Sequence, residues 1–242
     1  MTGMAVDILF PSRCAGCGDP VRSREHHLCR SCRDRIPYLA GSCPVCGGPL
    51  AGTVCPTCPD RHFFFKKNIA AAEYDGITRN ILHALKFDRI RDLHRVCGSI
   101  ALKKFSETGM RTDYITWVPM NAKKRWARGF NQSELVARYI SGKTGIPCRR
   151  FLTERRGTRT QRVLGLRDRF LNAIDRYAVR GAKELAGKSV LLVDDIYTTG
   201  ATINECARQL RSAGSGEVIS LAVARADVKR LEKILFSHKI EH

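Results

Sequence analysis

The sequence predicts an α/β fold with a mostly parallel sheet, preceded by a small cysteine-rich module. Strand-like and helix-like segments alternate from about residue 67 onward, which is typical of a parallel sheet covered by helices. Residues 189–193 (SVLLV) form an uninterrupted apolar run, as expected of a central strand that is buried on both faces. By contrast, eight of the eleven cysteines lie in the first quarter of the chain, as four Cys-x-x-Cys pairs. We therefore predict two parts, residues 1–66 and residues 67–242.

The length and the apolar content bound the class of protein. The chain has 242 residues, of which 43% are hydrophobic, enough for one full α/β domain and a small module. It contains no run of about eighteen apolar residues, so we expect no membrane insertion. The opening segment MTGMAVDILFPSRC lacks the charged region and long apolar stretch of a secretory signal. We therefore expect a cytoplasmic protein.

The charge of the chain is strongly positive and unevenly distributed. The formal net charge is +19, and residues 120–170 hold 14 Lys and Arg against 3 Asp and Glu. Such an excess favours polyanionic partners, either nucleic acid or phosphorylated small molecules. A basic surface that serves solubility alone is the alternative. Local clustering favours an anion site over that alternative.

The cysteine-rich head, residues 1–66, has the ligand spacing of structural metal sites. Two residues between a pair of cysteines let both thiolates face one ion, and two pairs complete a tetrahedral zinc site without an open position. Because no export signal is apparent, metal is favoured over disulfides. The eight predicted ligands, enough for two zinc ions, are Cys14, Cys17, Cys29, Cys32, Cys43, Cys46, Cys55 and Cys58.

The partition of these ligands follows from an internal repeat. The segments SRCAGCGDPV…LCRSC and GSCPVCGGPL…VCPTC resemble two copies of one ribbon, which favours a sequential partition into first four and last four cysteines. An interleaved pairing and an iron–sulfur cluster are the alternatives. His26, His27 and His62 are potential replacement ligands, but with eight sulfurs present we expect them at the surface. The ions would hold together a head that cannot fold unaided, and contact with nucleic acid or a protein partner is a second role.

The body, residues 67–242, alternates strand and helix patterns. Apolar residues at helical spacing, such as Ile77, Ile81, Leu82 and Leu85, mark the helices. The predicted strands are 68–74, 114–118, 189–193 and 217–224, and the predicted helices are 77–85, 93–105, 133–143, 201–213 and 228–239.

The segment from Val190 to Thr202 predicts a phosphate site. A buried strand leads into two acids, Asp194 and Asp195, then into a Thr/Gly turn and the start of a helix. Ligands of open α/β sheets bind at the carboxyl ends of strands, and a helix N-terminus offers unpaired N–H groups to a phosphate. The acids would accept hydrogen bonds from sugar hydroxyls or lie near a magnesium ion. The residues that would hold the phosphate are Thr198, Thr199, Gly200, Ala201 and Thr202. An ordinary turn whose threonines cap the helix is the alternative, but two exposed acids would then have no packing role.

A second strand end leads into the basic segment PMNAKKRWARGFNQ, residues 119–132. We predict a turn here whose cations complement a pyrophosphate, since the arginine fork suits such oxygens. A solvated basic loop is the alternative. The candidate residues are Pro119, Lys123, Lys124, Arg125 and Arg128.

These motifs carry a resemblance to known families. Residues 190–202 resemble the signature of type I phosphoribosyltransferases, which bind 5-phosphoribosyl-1-pyrophosphate (PRPP). In that family the two acids hold the ribose 2- and 3-hydroxyls, and the Thr/Gly loop holds the 5-phosphate. The resemblance therefore implies a type I phosphoribosyltransferase fold in which Asp194 and Asp195 hold the ribose and residues 198–202 the phosphate.

The resemblance extends over nearly the whole chain. VP…R..RGFNQ, YDG…R…LKF at residues 74–87 and the double cysteine head resemble the ComF family, competence-associated proteins that couple a zinc ribbon to a phosphoribosyltransferase domain. Many relatives carry Leu-His where this chain has Met120-Asn121, so a histidine role there does not carry over. Residues 159–172 are similar to a further family stretch, with Gln161 and Arg169 as its candidate site residues.

The resemblance implies a reaction class but leaves the acceptor open. A nitrogen nucleophile would displace pyrophosphate from PRPP bound with Mg²⁺, and the catalytic residues would be Asp194, Asp195, Arg125 and Arg128. Nothing in the sequence specifies the nucleophile, and no general base stands out. The alternative function is a non-catalytic PRPP-fold protein that binds single-stranded DNA in DNA uptake and natural competence, together with competence-machinery proteins. Its candidate stacking residues are Trp117, Trp126, Phe130 and Phe151, with Trp126 foremost.

Overall fold

The computed structural model describes residues 12–21, 27–56, 58–59, 61–155 and 175–226. Within the described head lie β1 (Ser12–Arg13), β2 (Pro20–Val21) and α1 (Arg30–Asp34). The strands of the body are β3 (Lys67–Glu73), β4 (Tyr114–Trp117), β5 (Leu152–Glu154), β6 (Tyr177–Val179), β7 (Val190–Tyr197) and β8 (Val218–Arg225). Its helices are α2 (Gly76–Lys86), α3 (Leu93–Ser106), α4 (Ala122–Arg128), α5 (Gln132–Thr144), α6 (Ala182–Leu185) and α7 (Ala201–Ser212).

Four parallel strands form the central sheet, in the order β3–β8–β7–β4. The register sets Trp117 beside Val193, and it sets Arg225 between Tyr197 and Glu73. The carboxyl ends of all four strands therefore meet at one edge of the sheet, where open α/β proteins bind their ligands. This architecture confirms the predicted α/β fold with a parallel sheet.

Both faces of the sheet are covered, as the apolar run in β7 predicts. Leu191 and Val193 pack into a core built with α2, α3 and α5. Val190 and Leu192 point the other way and pack with α7 and the antiparallel pair of strands β5 and β6. Successive side chains of a strand face opposite sides, so burial of all four requires helices on both faces.

The eight predicted strands and helices between residues 68 and 224 all form, with small shifts at their ends. Two expectations about the site were wrong in detail. Strand β7 does not end before the acids but continues through Asp194 and Asp195 to Tyr197. The basic segment after β4 is not a turn but the seven-residue helix α4, which begins after Asn121 and ends at Gly129 in the left-handed conformation (φ 84°). The predicted helix at 228–239 lies outside the described residues.

The two halves of the head contact the body differently. In the first ribbon (residues 14–32), Cys14 and Leu28 belong to the same buried cluster as Ile81 and Leu82 of α2. The second ribbon (residues 43–58) has a small apolar cluster of its own. It joins the sheet through Asn68, whose side-chain amide donates to the carbonyl of a ribbon cysteine at 2.9 Å.

Within the described parts of the chain, no helix combines the length and the apolar character that crossing a bilayer requires.

Candidate functional site

The eight cysteines of the head form two separate clusters, each with its ligand atoms within 4.8 Å of one another. One cluster contains Cys14, Cys17, Cys29 and Cys32, and the other contains Cys43, Cys46, Cys55 and Cys58. Sulfur–sulfur distances of 3.8, 3.7 and 3.6 Å match the edge of a tetrahedron around zinc, since Zn–S bonds of about 2.3 Å give an edge of about 3.8 Å. The donor set and its geometry therefore fit two structural zinc sites in the sequential partition, with no cysteine shared between them.

Each Cys-x-x-Cys pair forms a tight turn, called a knuckle here, in which backbone N–H groups face the sulfurs. The N–H groups of Gly16 and Val45 point at the first sulfur of their knuckles, at 3.3 and 3.4 Å. Gly18 and Gly47 turn the chain after each knuckle with φ of 83° and 66°, which other residues rarely adopt. Such N–H···S contacts favour thiolates, the form that binds zinc.

Histidines are not part of the two clusters within the described residues. His62 instead packs edge-on against Phe64, with ring centroids 4.9 Å apart. His27 precedes the second knuckle and has a positive φ of 60°. The third candidate, His26, lies outside the described residues.

The acid pair at the end of β7 is half-buried and held by partners from two helices. Asp194 Oδ1 accepts from the hydroxyl of Ser133 at 3.0 Å. Asp195 Oδ2 lies 2.8 Å from Nζ of Lys86 and accepts from the amide of Gln132 at 3.3 Å. The expectation that both acids are exposed and have no packing role was therefore wrong, because α2 and α5 supply partners that lie far away in sequence.

Burial changes the acidity of Asp194. Burial, and next the charge of Asp195, raise the pKa of Asp194 to about 7, although Ser133 and the N–H of Asp195 oppose the change. Two carboxylates this close do not both ionise easily in a half-buried site. Sugar hydroxyls that donate hydrogen bonds to the ionised pair, or a divalent cation bound next to it, would lower that pKa again.

The segment RGFNQ positions these partners. Asn131 donates from its amide to the carbonyl of Val118 at 3.0 Å, which ties the start of α5 to the end of β4. The same side chain accepts from the N–H of Ser133 at 2.9 Å and so caps α5. Gln132 and Ser133, the next two residues, are thereby set against the acids of β7.

The loop after β7 has the features of a phosphate site. We call residues 198–202 the phosphate loop. Gly200 sits at the helix start with a φ of 81° and has no side chain that could cap the first N–H groups of α7, which lack partners within the helix. Thr199 is buried and its hydroxyl accepts from the N–H of Ala201 at 3.3 Å. The hydroxyls of Thr198 and Thr202, on half-exposed residues, make no hydrogen bond within the part of the chain that the structure describes.

Helix α4 carries the basic candidates beside the acids. Lys123 and Lys124 are exposed, and Arg125 forms an ion pair with Glu134 at 3.3 Å. Arg128 is half-buried over the ring of Phe87, 5.5 Å from its centroid. Burial lowers the pKa of Arg128 while the charge of Asp195 acts in the opposite direction, and the guanidinium stays charged.

Pro119 and the four aromatic candidates differ in how deeply they are buried. Pro119 is buried where the chain leaves β4 for α4. Trp126 is 89% exposed on α4. Trp117 and Phe151 are buried, so the expectation that they serve as stacking platforms was wrong. Phe130 is half-buried.

Several residues at the site escaped the sequence analysis. Lys86 and Gln132 stand inside the quoted motifs LKF and RGFNQ, which was the available signal, although the motifs do not say which acid they contact. Arg225 and Arg61 reach the site from β8 and from the segment after the second ribbon, without a local signal. The candidates Gln161 and Arg169 lie outside the described residues.

Comparisons with known proteins agree with this two-part organisation. A family model described as a double zinc ribbon domain matches residues 5–63, and a phosphoribosyl transferase domain model matches residues 131–240. The DNA utilization protein YhgH of Salmonella typhimurium is 28% identical over 219 residues, which cover 87% of this chain and 96% of that protein. Competence protein F of Haemophilus influenzae is 28% identical over 229 residues, which cover 90% of this chain and 98% of that protein.

Among solved structures, the chain is similar in part to an allosteric regulatory enzyme of purine biosynthesis, with 23% identity and a TM-score of 0.38. That match covers 54% of this chain and 26% of the enzyme. One chain thus contains both matched domains and the two cysteine clusters. It also contains the parallel sheet with its acid pair and Thr/Gly loop. The chain therefore contains a double zinc ribbon followed by a phosphoribosyltransferase domain, and over most of its length it is similar to Competence protein F and to the DNA utilization protein YhgH.

Proposed function

We propose that the chain binds PRPP with Mg²⁺ at the carboxyl edge of the sheet and transfers the phosphoribosyl group to a nitrogen acceptor. One observation carries the proposal: two acids and a phosphate loop follow one another on the same strand end. Asp194 and Asp195 offer carboxylate oxygens, and six residues after Asp195 the helix α7 begins with N–H groups that lack partners within the helix. A sugar phosphate has hydroxyls that can donate to the carboxylates and a phosphate that can accept from the N–H groups of α7.

The acids would bind the ribose 2- and 3-hydroxyls. Lys86, Gln132 and Ser133 already fix the carboxylates, so little conformational entropy is lost when the sugar binds. The hydroxyls of Thr198 and Thr202, with the N–H groups of α7, would hold the 5-phosphate. PRPP would then lie across the end of β7, with its pyrophosphate toward the basic helix α4.

The reaction exchanges one bond at the anomeric carbon for another. The lone pair of the acceptor nitrogen forms the new C–N bond, the C–O bond to pyrophosphate breaks, and the nitrogen releases its proton to solvent. Positive charge develops on the sugar and negative charge on the leaving group. Fixed cations near the leaving group therefore accelerate the step. Mg²⁺ would neutralise part of the pyrophosphate charge. Arg128 and Arg125, with Lys123 and Lys124, are the cations of α4 that would add to this.

Calorimetry tests the binding step. Zinc-loaded full-length protein is titrated with PRPP and Mg²⁺, as wild type and as the double variant Asp194→Ala/Asp195→Ala. We expect the double variant to lose binding, since it removes the groups proposed to hold the ribose. Asp113→Asn, on an exposed carboxylate at the start of β4, is the matched control and should bind as the wild type does. Equal affinity of wild type and double variant would refute the assignment.

Release of pyrophosphate tests the transfer step. A screen of nitrogen nucleophiles, each with PRPP and Mg²⁺, would identify the acceptor by the appearance of pyrophosphate above the rate without an acceptor. A wild type that binds PRPP but releases no pyrophosphate with any acceptor would leave binding intact and refute transfer.

The exposed Trp126 favours a second candidate function, the binding of single-stranded DNA. Its ring stands on a helix with four cations, and aromatic rings interleaved with basic residues are how proteins bind single strands without sequence preference. The names of the two relatives, DNA utilization protein and Competence protein F, support a role in DNA uptake or use.

A salt-titrated binding assay with a fluorescent oligonucleotide tests this candidate. Trp126→Ala should weaken binding without changing the salt dependence, since stacking is worth about 1–3 kcal/mol per base. Lys123→Gln/Lys124→Gln should flatten the salt dependence instead. Identical affinity of all three proteins would exclude α4 as a DNA contact.

A further inference from the structure

We propose that Arg225, Tyr197 and Arg61 are positioning residues that make the phosphate loop depend on a folded, metal-bound second ribbon. This inference rests on the proposed function, in which the loop holds the 5-phosphate of PRPP. Two separate connections run from the second ribbon to the loop, one through Arg225 and Tyr197 and one through Arg61.

The first connection begins at a zinc ligand. Arg225, at the end of β8, donates from Nη1 to the carbonyl of Cys46 at 2.8 Å. The ribbon passes close over this guanidinium, because a Cβ on Gly48 would stand 2.6 Å from Arg225 Nη2. The position of that carbonyl is fixed when the knuckle folds around its metal. The metal-bound ribbon therefore fixes where the guanidinium lies.

Tyr197 continues this connection to the phosphate loop. The guanidinium of Arg225 lies over the Tyr197 ring, 4.7 Å from its centroid. The ring is 1% exposed and packs directly beneath Gly200, where an added Cβ would overlap the tyrosine hydroxyl. That hydroxyl is buried and has no close hydrogen-bond partner among the described residues. Stacking under Arg225 and packing against Gly200 therefore set the position of the ring.

The second connection leaves the ribbon after Cys58. Arg61 donates from Nη1 to the carbonyl of Thr199, inside the phosphate loop, at 3.1 Å. The next residues hold the first turn of α7, since Asn204 donates to the carbonyl of His62 at 3.1 Å and accepts from the N–H of Phe64 at 2.8 Å. The loop and the helix start behind it are thus both attached to the segment that leaves the second ribbon.

The first ribbon supplies an internal comparison. It docks on α2, where Asn80 donates to the carbonyl of Gly16 at 2.9 Å. None of its hydrogen bonds within the described residues reaches the phosphate loop. Both ribbons have the same ligand set, but the second one has the connection to the phosphate site.

The binding test uses zinc-loaded full-length protein and three variants. Arg225→Met keeps an unbranched side chain over Tyr197 but removes the donors to Cys46. Arg225→Lys keeps one donor, and Asn80→Ala removes the comparable contact of the first ribbon. Calorimetry is run with PRPP and Mg²⁺, with ribose 5-phosphate and with pyrophosphate, and bound zinc is measured for each protein.

We expect Arg225→Met to weaken PRPP and ribose 5-phosphate about tenfold or more, since a hydrogen bond from a charged group is lost. Pyrophosphate affinity should not change, because that ligand would bind on the α4 side of the site. Arg225→Lys should recover part of the loss, and Asn80→Ala should bind like wild type. Equal losses for pyrophosphate and ribose 5-phosphate would indicate a general structural role and overturn the proposal, as would unchanged PRPP affinity in Arg225→Met.

A ligand-free measurement separates this inference from the proposed function. Hydrogen–deuterium exchange of the peptide covering residues 198–204 should rise in Arg225→Met and not in Asn80→Ala. Chelation of zinc should raise the same exchange more in wild type than in Arg225→Met, where the first of the two connections is already cut. If these changes appear while wild type binds no PRPP, the proposed function fails and the connection stands. If exchange is the same in all proteins, the connection is refuted whatever PRPP does.

Discussion

Replacing Asp194 by Asn should stabilise the ligand-free protein above neutral pH while it removes PRPP binding. The pKa of Asp194 is raised from 3.8 to about 7, chiefly by burial and next by the charge of Asp195. The variant keeps a side-chain oxygen that can accept from Ser133 and from the backbone of Asp195, as the carboxylate does. It lacks the charge that is costly to bury.

The sign and size of the effect follow from proton linkage. Between the two pKa values the folded wild type retains a proton that the unfolded chain has released, so its free energy of unfolding falls as pH rises. Each pH unit in this window costs about 1.4 kcal/mol, and the loss ends near pH 7 where the folded protein ionises as well. The variant has no such group. Its stability advantage should therefore grow by about 1 kcal/mol between about pH 6 and pH 7, rise less from pH 7 to pH 8, and then level off.

Urea unfolding of zinc-loaded wild type and variant at a series of pH values from about 6 to 8 measures this gap. Asp113→Asn is the control, because hydrogen bonds from Ser189 lower the pKa of that exposed carboxylate and it titrates far below this range. The difference in free energy of unfolding between Asp113→Asn and wild type should not change with pH. A flat gap for Asp194→Asn as well, or a variant less stable than wild type at pH 8, would refute the burial of a proton-retaining acid at this site.

Three further perturbations test other parts of the structure. Gly200→Ala should destabilise the protein by about 1–3 kcal/mol in urea unfolding, since φ is 81° and the space for a Cβ is filled; wild-type stability would contradict the loop geometry. Lys86→Met should lower the free energy of unfolding by about 1–3 kcal/mol, because Asp195 loses its cation where both side chains are less than one-fifth exposed. Lys86→Arg should restore most of that stability. Equal stability of wild type and both variants would show that the ion pair is not formed. Zinc analysis should find two ions per chain in wild type and one in each of Cys14→Ser and Cys43→Ser; loss of both ions in either variant would contradict two separate sites.

The sequence predicted elements whose signal is local. The run SVLLV indicated a strand buried on both faces, and Leu191 and Leu192 do pack on opposite sides of the sheet. The Cys-x-x-Cys spacing and its repeat indicated two four-thiolate sites in the observed partition. Both signals depend on residues close together in the chain.

The differences arise where tertiary contacts decide. Strand β7 continues through Asp194 and Asp195 because β8 pairs with it as far as Tyr197, and charged residues alone do not signal a buried strand. Helix α4 has no buried residue and so no apolar periodicity. Its ends carried the available signal, since Asn121 accepts from the N–H of Lys123 as a helix cap does.

The partners of the acids could not be predicted from spacing. Lys86 lies more than one hundred residues before Asp195, and their contact exists because α2 ends beside the carboxyl edge of β7. The contact of Arg225 with Cys46 spans 179 residues. Such contacts follow from the order of the strands in the sheet, which the alternating pattern alone does not give.

The sulfurs of Cys14 and Cys32 sit among the side chains that fill one face of the sheet, beside Ile81 and Leu82. During synthesis these ligands leave the ribosome long before β7 and β8, so the metal must be acquired early or the hydrophobic interior closes around empty thiols. In cells starved of zinc these chains should therefore fold incompletely and be cleared by proteolysis, so the abundance of this protein would report on metal supply.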